Sequence, residues 1–236
     1  MICDISQAVQ HIAAKANSLL LIDTCSLLDI VRVPLRSNIN HSHIQGAIDI
    51  VKKVKSGHIS LAVTDTIVTE FRAHLAPVCT ELEGHIRTLE SKNLSIINAM
   101  ESVGLSYQFN INGLADQKLP EKLRELAENL LSSAFTLQRD KECGNRAHDR
   151  VDLLRAPASK GKSESKDCLI IEHFLELVKQ LRETGYNEKV VFVTNNSKDY
   201  GQPGALLPPL GLEFKKVQIE YCNNFAWALS VAEGKP

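Results

Sequence analysis

Four acidic residues of this chain have the type and spacing to act together on a metal ion. They are separated in sequence, at Asp23, Glu70, Asp167 and Asp199. Carboxylates held close together repel one another, and hard divalent cations offset that charge. A ligand set made only of oxygen atoms favours Mg²⁺ or Mn²⁺. Such a centre suits phosphodiester hydrolysis by metal-activated water, with no side chain as the nucleophile.

The first two acids follow predicted strands. The wholly apolar run 19–22 is typical of a buried parallel strand, and Asp23 closes it. A second apolar run, 59–63, is followed by Glu70 about one and a half helical turns later. Ligands of open α/β sheets sit beyond the carboxyl ends of the strands. We therefore expect both acids to reach one edge of the sheet.

The other two acids lie on either side of a third apolar run, 189–194. Asp167 is predicted to open the helix that leads into this run, although an Asp in that position is more often a helix cap when taken alone. Asp199 follows the run by five positions. Thr194 and Asn196 are predicted to support the site, by hydrogen bonding to its acids and by orienting a water molecule.

The segment 155–166, just before the Asp167 helix, is predicted to be a basic loop because it is polar and contains Pro and Gly. Basic side chains beside clustered acids suit phosphate capture, whereas the alternative is that they are ordinary surface residues. The residues predicted to bind nucleic acid are Arg150, Arg155, Lys160, Lys162 and Lys166.

Glu164 of this segment has two interpretations. It lies three residues before Asp167, so both acids would share a helix face if the helix began early, and Glu164 would then support the site. If the loop continues to Ser165, Glu164 is simply solvated.

Composition limits the class of protein. The chain has 236 residues, 44% of them hydrophobic, which is enough for one domain, 1–236, with its own core. A formal net charge of -1 excludes a global basic field, so nucleic-acid binding must rest on a local patch. Six scattered cysteines without a CxxC pair indicate reduced thiols and a cytoplasmic protein. No apolar stretch approaches the roughly 20 residues of a membrane span.

The order of predicted elements favours an α/β fold. Strands alternate with helices, which indicates a mainly parallel sheet covered by helices on both faces. A weaker fourth strand is predicted at 217–220, before a closing helix at 224–232. Between the two halves of the sheet, residues of about 76–137 are predicted to form a helical insertion.

Four segments together resemble PIN-domain proteins. They are Leu20 to Leu28, Val63 to Phe71, Lys166 to Glu172, and Val191 to Tyr200, in the order and spacing of that family. The resemblance implies a three-layer α/β/α sandwich and a metal-dependent ribonuclease that uses the acids named above. It also implies RNA, single-stranded or structured, as the substrate, with DNA as the other candidate polymer.

One position departs from the family pattern. Many PIN nucleases have an Asp two positions after the Thr of the fourth segment, where this chain has Asn196, and its acid comes only at Asp199. The alternative function is therefore a catalytically weakened PIN-like module that binds RNA or a protein. An aspartyl phosphatase is disfavoured because Cys25 stands where that chemistry needs a second Asp.

The resemblance also suggests partners. A freely active nuclease could harm its host, so a toxin or defence effector with a neutralising partner protein fits the family. An apolar helical insertion also favours a homodimer.

Overall fold

The centre of the fold is a six-stranded parallel sheet, seen in a computed structural model that describes residues 1–36, 41–106, 113–159 and 164–235. Its strand order is β1-β4-β3-β2-β5-β8, and a separate antiparallel ribbon joins β6 to β7. The strands are β1 (Ile2–Cys3), β2 (Ser18–Ile22), β3 (Ile59–Thr64), β4 (Phe135–Leu137), β5 (Val190–Val193), β6 (Gly201–Gln202), β7 (Ala205–Leu206) and β8 (Ile219–Cys222).

Helices cover both faces of the sheet. Successive residues of a strand point to opposite faces, and Leu19 to Ile22 of β2 are all fully buried. The helices are α1 (Ile5–Lys15), α2 (Thr24–Arg32), α3 (Ser42–Lys55), α4 (Asp65–Ser102), α5 (Leu119–Ser132), α6 (Lys141–Asp152), α7 (Ser165–Glu183), α8 (Ser197–Tyr200), α9 (Leu210–Val217) and α10 (Phe225–Ala232). The fold is the predicted α/β/α sandwich.

The register of the central strands sets the position of the site. Ile22 of β2 is paired with Val193 of β5, so Asp23 and Thr194 follow side by side at the same edge. Leu21 is paired with Ala62 of β3, whose chain runs on into α4. Parallel strands thus bring residues that are far apart in sequence to one edge of the sheet.

The predicted helical insertion of about 76–137 contains most of α4 and all of α5, and its bounds differ from those of the observed elements at both ends. α4 is continuous from Asp65 to Ser102, and β4 joins the sheet between β1 and β3. The fourth predicted strand, 217–220, lies two residues later, at Ile219–Cys222, because Val217 still belongs to α9. Residues 107–112 of the predicted insertion lie outside the described residues.

Two predictions from composition can be compared with the structure. All six cysteines are free thiols. Among the described residues, no helix combines the length and the apolar character needed to cross a membrane.

Gly46 is a point of close backbone contact between α3 and α10. A Cβ atom built at Gly46 would lie 2.4 Å from the backbone nitrogen of Ala226. Gly46→Ala is therefore expected to destabilise the fold by about 3 kcal/mol, since backbone cannot move aside as a flexible side chain can.

Urea unfolding measures this loss of stability, with Gly84→Ala as control. Gly84 has no atom within 4 Å of its built Cβ, so its substitution should stabilise α4 by about 0.5–1 kcal/mol. Equal midpoints for the two variants would refute the close contact.

Candidate metal centre

Asp23 is the most buried acid of the site. It is 2% exposed and caps α2 with an extended backbone. The backbone N–H of Asp23 donates to the carbonyl of Val193 at 3.1 Å, and the hydroxyl of Thr194 donates to Asp23 Oδ2 at 2.7 Å. Thr194 Oγ1 in turn accepts from the backbone N–H of Asn196 at 3.1 Å. Asp23 is thus fixed by the loop that follows the neighbouring strand.

Burial raises the pKa of Asp23 to about 6, against the opposing effect of the Thr194 hydrogen bond. The charge of Glu70 also raises this pKa. The site therefore costs free energy when its acids are ionised without a cation.

Glu70 reaches the same edge from the second turn of α4. Its Oε2 accepts from the hydroxyl of Thr24 at 2.9 Å, and its Oε1 lies 3.2 Å from Lys166 Nζ. Thr64 caps the start of this helix, with its hydroxyl accepting from the backbone N–H of Ile67. Thr24 was not singled out from the sequence. Its position directly after Asp23, at the start of α2, is the signal that could have found it.

Three carboxylates come closest together at the start of α7. One oxygen each of Glu164, Asp167 and Asp199 lie within 4.8 Å of one another, and among the described residues Asp23 and Glu70 are outside this group. α7 begins at Ser165, two residues earlier than predicted, so Glu164 precedes the helix and Asp167 lies in its first turn. Glu164 thus lies just before the helix and not on a helix face shared with Asp167, but its carboxylate is close to those of Asp167 and Asp199.

Asn196 holds the third acid of this group. Its side-chain amide donates to Asp199 Oδ2 at 2.8 Å. Asn196 therefore orients the carboxylate of Asp199 by this hydrogen bond.

Asp167 has the most strongly shifted pKa among the acids of the site. Its pKa is raised from 3.8 to about 8, first by burial and then by the charges of Asp23, Asp199, Glu70 and Glu164. All four acids therefore act electrostatically on one carboxyl group. A hard divalent cation would relieve this repulsion, and the oxygen donors present fit Mg²⁺ or Mn²⁺.

Tyr200 is a further part of the site that the sequence analysis did not identify. Its side chain is fully buried, and its hydroxyl donates to Asp167 Oδ1 at 3.2 Å. No periodicity or spacing pointed to it, since the two residues are 33 positions apart. The hydrogen bond from Tyr200 fixes the orientation of the Asp167 carboxylate, as hydrogen-bond partners of metal ligands commonly do.

Tyr200→Phe is expected to weaken Mn²⁺ binding by about tenfold, since loss of a supporting hydrogen bond typically costs 10–100-fold in metal affinity. Calorimetric titration of the folded variant with Mn²⁺ measures this. Tyr221→Phe is the matched control, because the Tyr221 hydroxyl donates to the Gly201 carbonyl and not to an acid. Unchanged affinity in Tyr200→Phe would show that this hydrogen bond does not serve the metal site.

Arg150 is part of the interior. It is 4% exposed, and its guanidinium donates to Glu172 Oε1 at 2.7 Å, Glu213 Oε2 at 2.9 Å and the Ala156 carbonyl at 2.7 Å. This network ties α6 to α7, to α9 and to the segment after α6. It corrects the prediction that Arg150 contacts nucleic acid.

The other predicted basic residues fall into two groups. Lys166 is exposed beside the acids and pairs with Glu70, and Arg155 is exposed after α6. Lys160 and Lys162 lie outside the described residues. Exposed cations of this kind can exchange a weak surface ion pair for a phosphate group.

Comparison with known proteins gives one match. A family model described as PIN domain matches residues 20–200, about three quarters of the chain, and the matched range contains all the acids of the site. No curated protein and no solved structure matches the chain.

Proposed function

Because the chain belongs to the PIN domain family, whose members are generally nucleases, we propose that it is a metal-dependent nuclease that hydrolyses RNA. The observation that carries this proposal is the approach of Glu164, Asp167 and Asp199, with one oxygen of each within 4.8 Å of the others. A single divalent cation can be held by oxygens at that separation.

We assign the residues as follows. Asp167, Asp199 and Glu164 hold the cation, while Asp23 and Glu70 add negative charge and further oxygen donors at its border. A bound Mg²⁺ or Mn²⁺ supplies the activation of water and the neutralisation of developing phosphate charge. Thr194, Asn196 and Tyr200 orient Asp23, Asp199 and Asp167 respectively by hydrogen bonds.

The proposed phosphate contacts begin at Lys166, which pairs with Glu70. Lys166 is next to Asp167 in sequence and 67% exposed, so its ammonium group can turn from Glu70 to a phosphate. Arg155, Lys160 and Lys162 are proposed to extend this contact along the nucleic acid. We favour RNA over DNA because of the family resemblance alone.

The test is cleavage of end-labelled single-stranded RNA and of DNA with the same sequence. Wild type, Asp23→Ala and Glu183→Gln are compared in Mn²⁺, in Mg²⁺ and in EDTA. Glu183 is an exposed acid at the far end of α7, so its variant controls for the loss of one negative charge away from the site. We expect cleavage products from wild type and Glu183→Gln in the presence of metal, and none from Asp23→Ala. In EDTA we expect no products from any of the three proteins. Failure of wild type to cleave either polymer would overturn the proposal.

A second candidate function is a PIN-like module that binds RNA or a protein without cleaving. Two observations favour it, the presence of Asn196 in the fourth segment and the ion pair that occupies Glu70. RNA retained in a gel-shift assay with Mn²⁺, but never cleaved, would establish this function in place of the first.

The roles of toxin or defence effector, with a neutralising partner protein and a homodimeric assembly, remain proposals from the family resemblance. The second half of α4 offers a surface for such a partner, since Leu89, Leu94 and Ile96 are exposed there. Light scattering of the purified chain tests the homodimer. Cytoplasmic location likewise stays a prediction.

A further inference from the structure

A cavity of about 340 Å³ opens beside the acids, between α4, α6 and α7. Its size lies within the range of about 300–1,000 Å³ typical of small-molecule sites. Glu70 and Lys166 line it, and Lys166 is next to Asp167 in sequence, so the cavity lies beside the candidate metal centre.

The wall of this cavity is apolar. Ala147 and Val151 of α6 face Leu169 of α7, and these side chains belong to a small hydrophobic cluster that is separate from the main core. Gly144 lies on the same wall and has no atom within 4 Å of a built Cβ, so the absence of a side chain there leaves the space open. An apolar surface of this kind can take the face of an aromatic ring.

Basic groups stand at the rim of the cavity. Arg139 lies 3.6 Å from Asp65, His148 lies 3.7 Å from Asp152, and Lys166 pairs with Glu70. The three basic side chains are 72%, 78% and 67% exposed, so these ion pairs are weak and can be replaced by an anion. The rim thus suits the phosphate of a ligand whose ring packs against the apolar wall.

We propose that this cavity binds the nucleoside of the nucleotide next to the cleaved phosphodiester. The base lies against the wall formed by Ala147, Val151 and Leu169, and the adjoining phosphate faces the basic rim and the carboxylate group. This inference rests on the proposed nuclease function, because it names a subsite for that substrate. It gives the protein a source of base preference independent of the metal.

The test measures binding without cleavage. The four ribonucleoside 5′-monophosphates and ribose 5-phosphate compete, in Mg²⁺ buffer, with the fluorescent monophosphate of 2-aminopurine riboside. Monophosphates contain no phosphodiester, so they report the subsite and not the reaction. For wild type we expect at least one nucleotide to bind tenfold or more tightly than ribose 5-phosphate.

Gly144→Leu fills the cavity from its wall. Leu has a higher helix propensity than Gly, so the variant should keep its folded structure, which a thermal melt checks. We expect its nucleotide affinity to fall at least tenfold, to that of ribose 5-phosphate, while Gly84→Leu on α4 binds as wild type. Arg139→Gln, at an exposed position, should weaken the binding of nucleotides and of ribose 5-phosphate alike.

Each outcome decides the inference. Equal binding of nucleotides and ribose 5-phosphate, including no measurable binding of either, or wild-type affinity in Gly144→Leu, overturns it. If RNA is cleaved in that case, the subsite alone has failed and the nuclease function stands. If nucleotides bind with the expected sensitivity to Gly144→Leu but RNA is not cleaved, the cavity is a nucleotide site and the hydrolytic function has failed.

Discussion

Asp167→Asn is expected to abolish metal-dependent cleavage of single-stranded RNA, with a loss in rate on the order of 1,000-fold. Such a loss corresponds to about 4 kcal/mol of transition-state stabilisation. Asp167 is the carboxylate on which the other acids converge, and Asn removes its charge while keeping its shape. Single-turnover cleavage in Mn²⁺ measures the effect, with Glu183→Gln as control. A rate within tenfold of wild type would contradict the assignment of Asp167 as a ligand.

The same substitution should stabilise the metal-free protein at high pH. Burial and neighbouring acids raise the pKa of Asp167 to about 8 in the folded state, above the ordinary value of 3.8. An acid with a raised pKa lowers the stability of the fold as pH rises from about 4 to about 8, and Asn carries no such charge. In EDTA at pH 8 we expect Asp167→Asn to be several kcal/mol more stable than wild type, since each unit of raised pKa corresponds to about 1.4 kcal/mol, and we expect the difference to disappear below about pH 4.

Urea unfolding at several pH values checks this difference between the two proteins. Addition of Mn²⁺ at pH 8 should reduce the difference, since a ligand that binds only the folded state stabilises wild type more than a variant that has lost one of its carboxylates. A variant that is less stable than wild type in EDTA at pH 8 would show that Asp167 is not under electrostatic strain.

Arg150→Met is expected to destabilise the fold by about 3 kcal/mol. The substitution leaves the buried carboxylate of Glu172 with only Arg146 and removes the donor to the Ala156 carbonyl. Breaking one side of a buried ion pair typically costs about 3–5 kcal/mol. Arg155→Met, at an exposed position near the end of the same helix, should cost less than about 0.5 kcal/mol.

Urea unfolding of both variants measures these costs. RNA affinity separates the two roles further, because the Arg155 variant should weaken binding and the Arg150 variant should not while it remains folded. A cost below about 1 kcal/mol for Arg150→Met, together with weaker RNA binding, would restore Arg150 as a phosphate contact.

The sequence predicted the longer strands of the sheet and missed its two shortest strands, β1 and β4. β2, β3 and β5 are apolar runs of four to six buried residues, and their pattern alone identifies them. β1 and β4 have two and three residues, and they form strands only because each finds a partner in the sheet. Pairing of that kind is a tertiary effect that local pattern does not carry.

The candidate site shows the same division. The order of strands was enough to expect Asp23, Glu70, Asp167 and Asp199 near one edge, because parallel strands bring their carboxyl ends together. The role of Glu164 depended on where α7 begins, and helix boundaries vary by a residue or two from any local rule. The contact of Tyr200 with Asp167 and the burial of Arg150 depend on partners that only the folded chain brings together.

Asn196 is the position at which the chain departs from the family motif. From the sequence it suggested a lost ligand. In the structure its amide donates to Asp199, whose carboxylate lies within 4.8 Å of those of Asp167 and Glu164. The amide of Asn196 thus contacts an acid three positions further along the chain.

The carboxylates of Glu164, Asp167 and Asp199 are proposed to bind the cation used in hydrolysis. The most direct test is the rate of single-stranded RNA cleavage as Mn²⁺ is increased, for wild type and Asp199→Asn. Loss of one ligand should move the half-maximal Mn²⁺ concentration upward by at least tenfold, because the remaining oxygens bind the cation more weakly. Cleavage in EDTA, or the same Mn²⁺ dependence in both proteins, would contradict the claim.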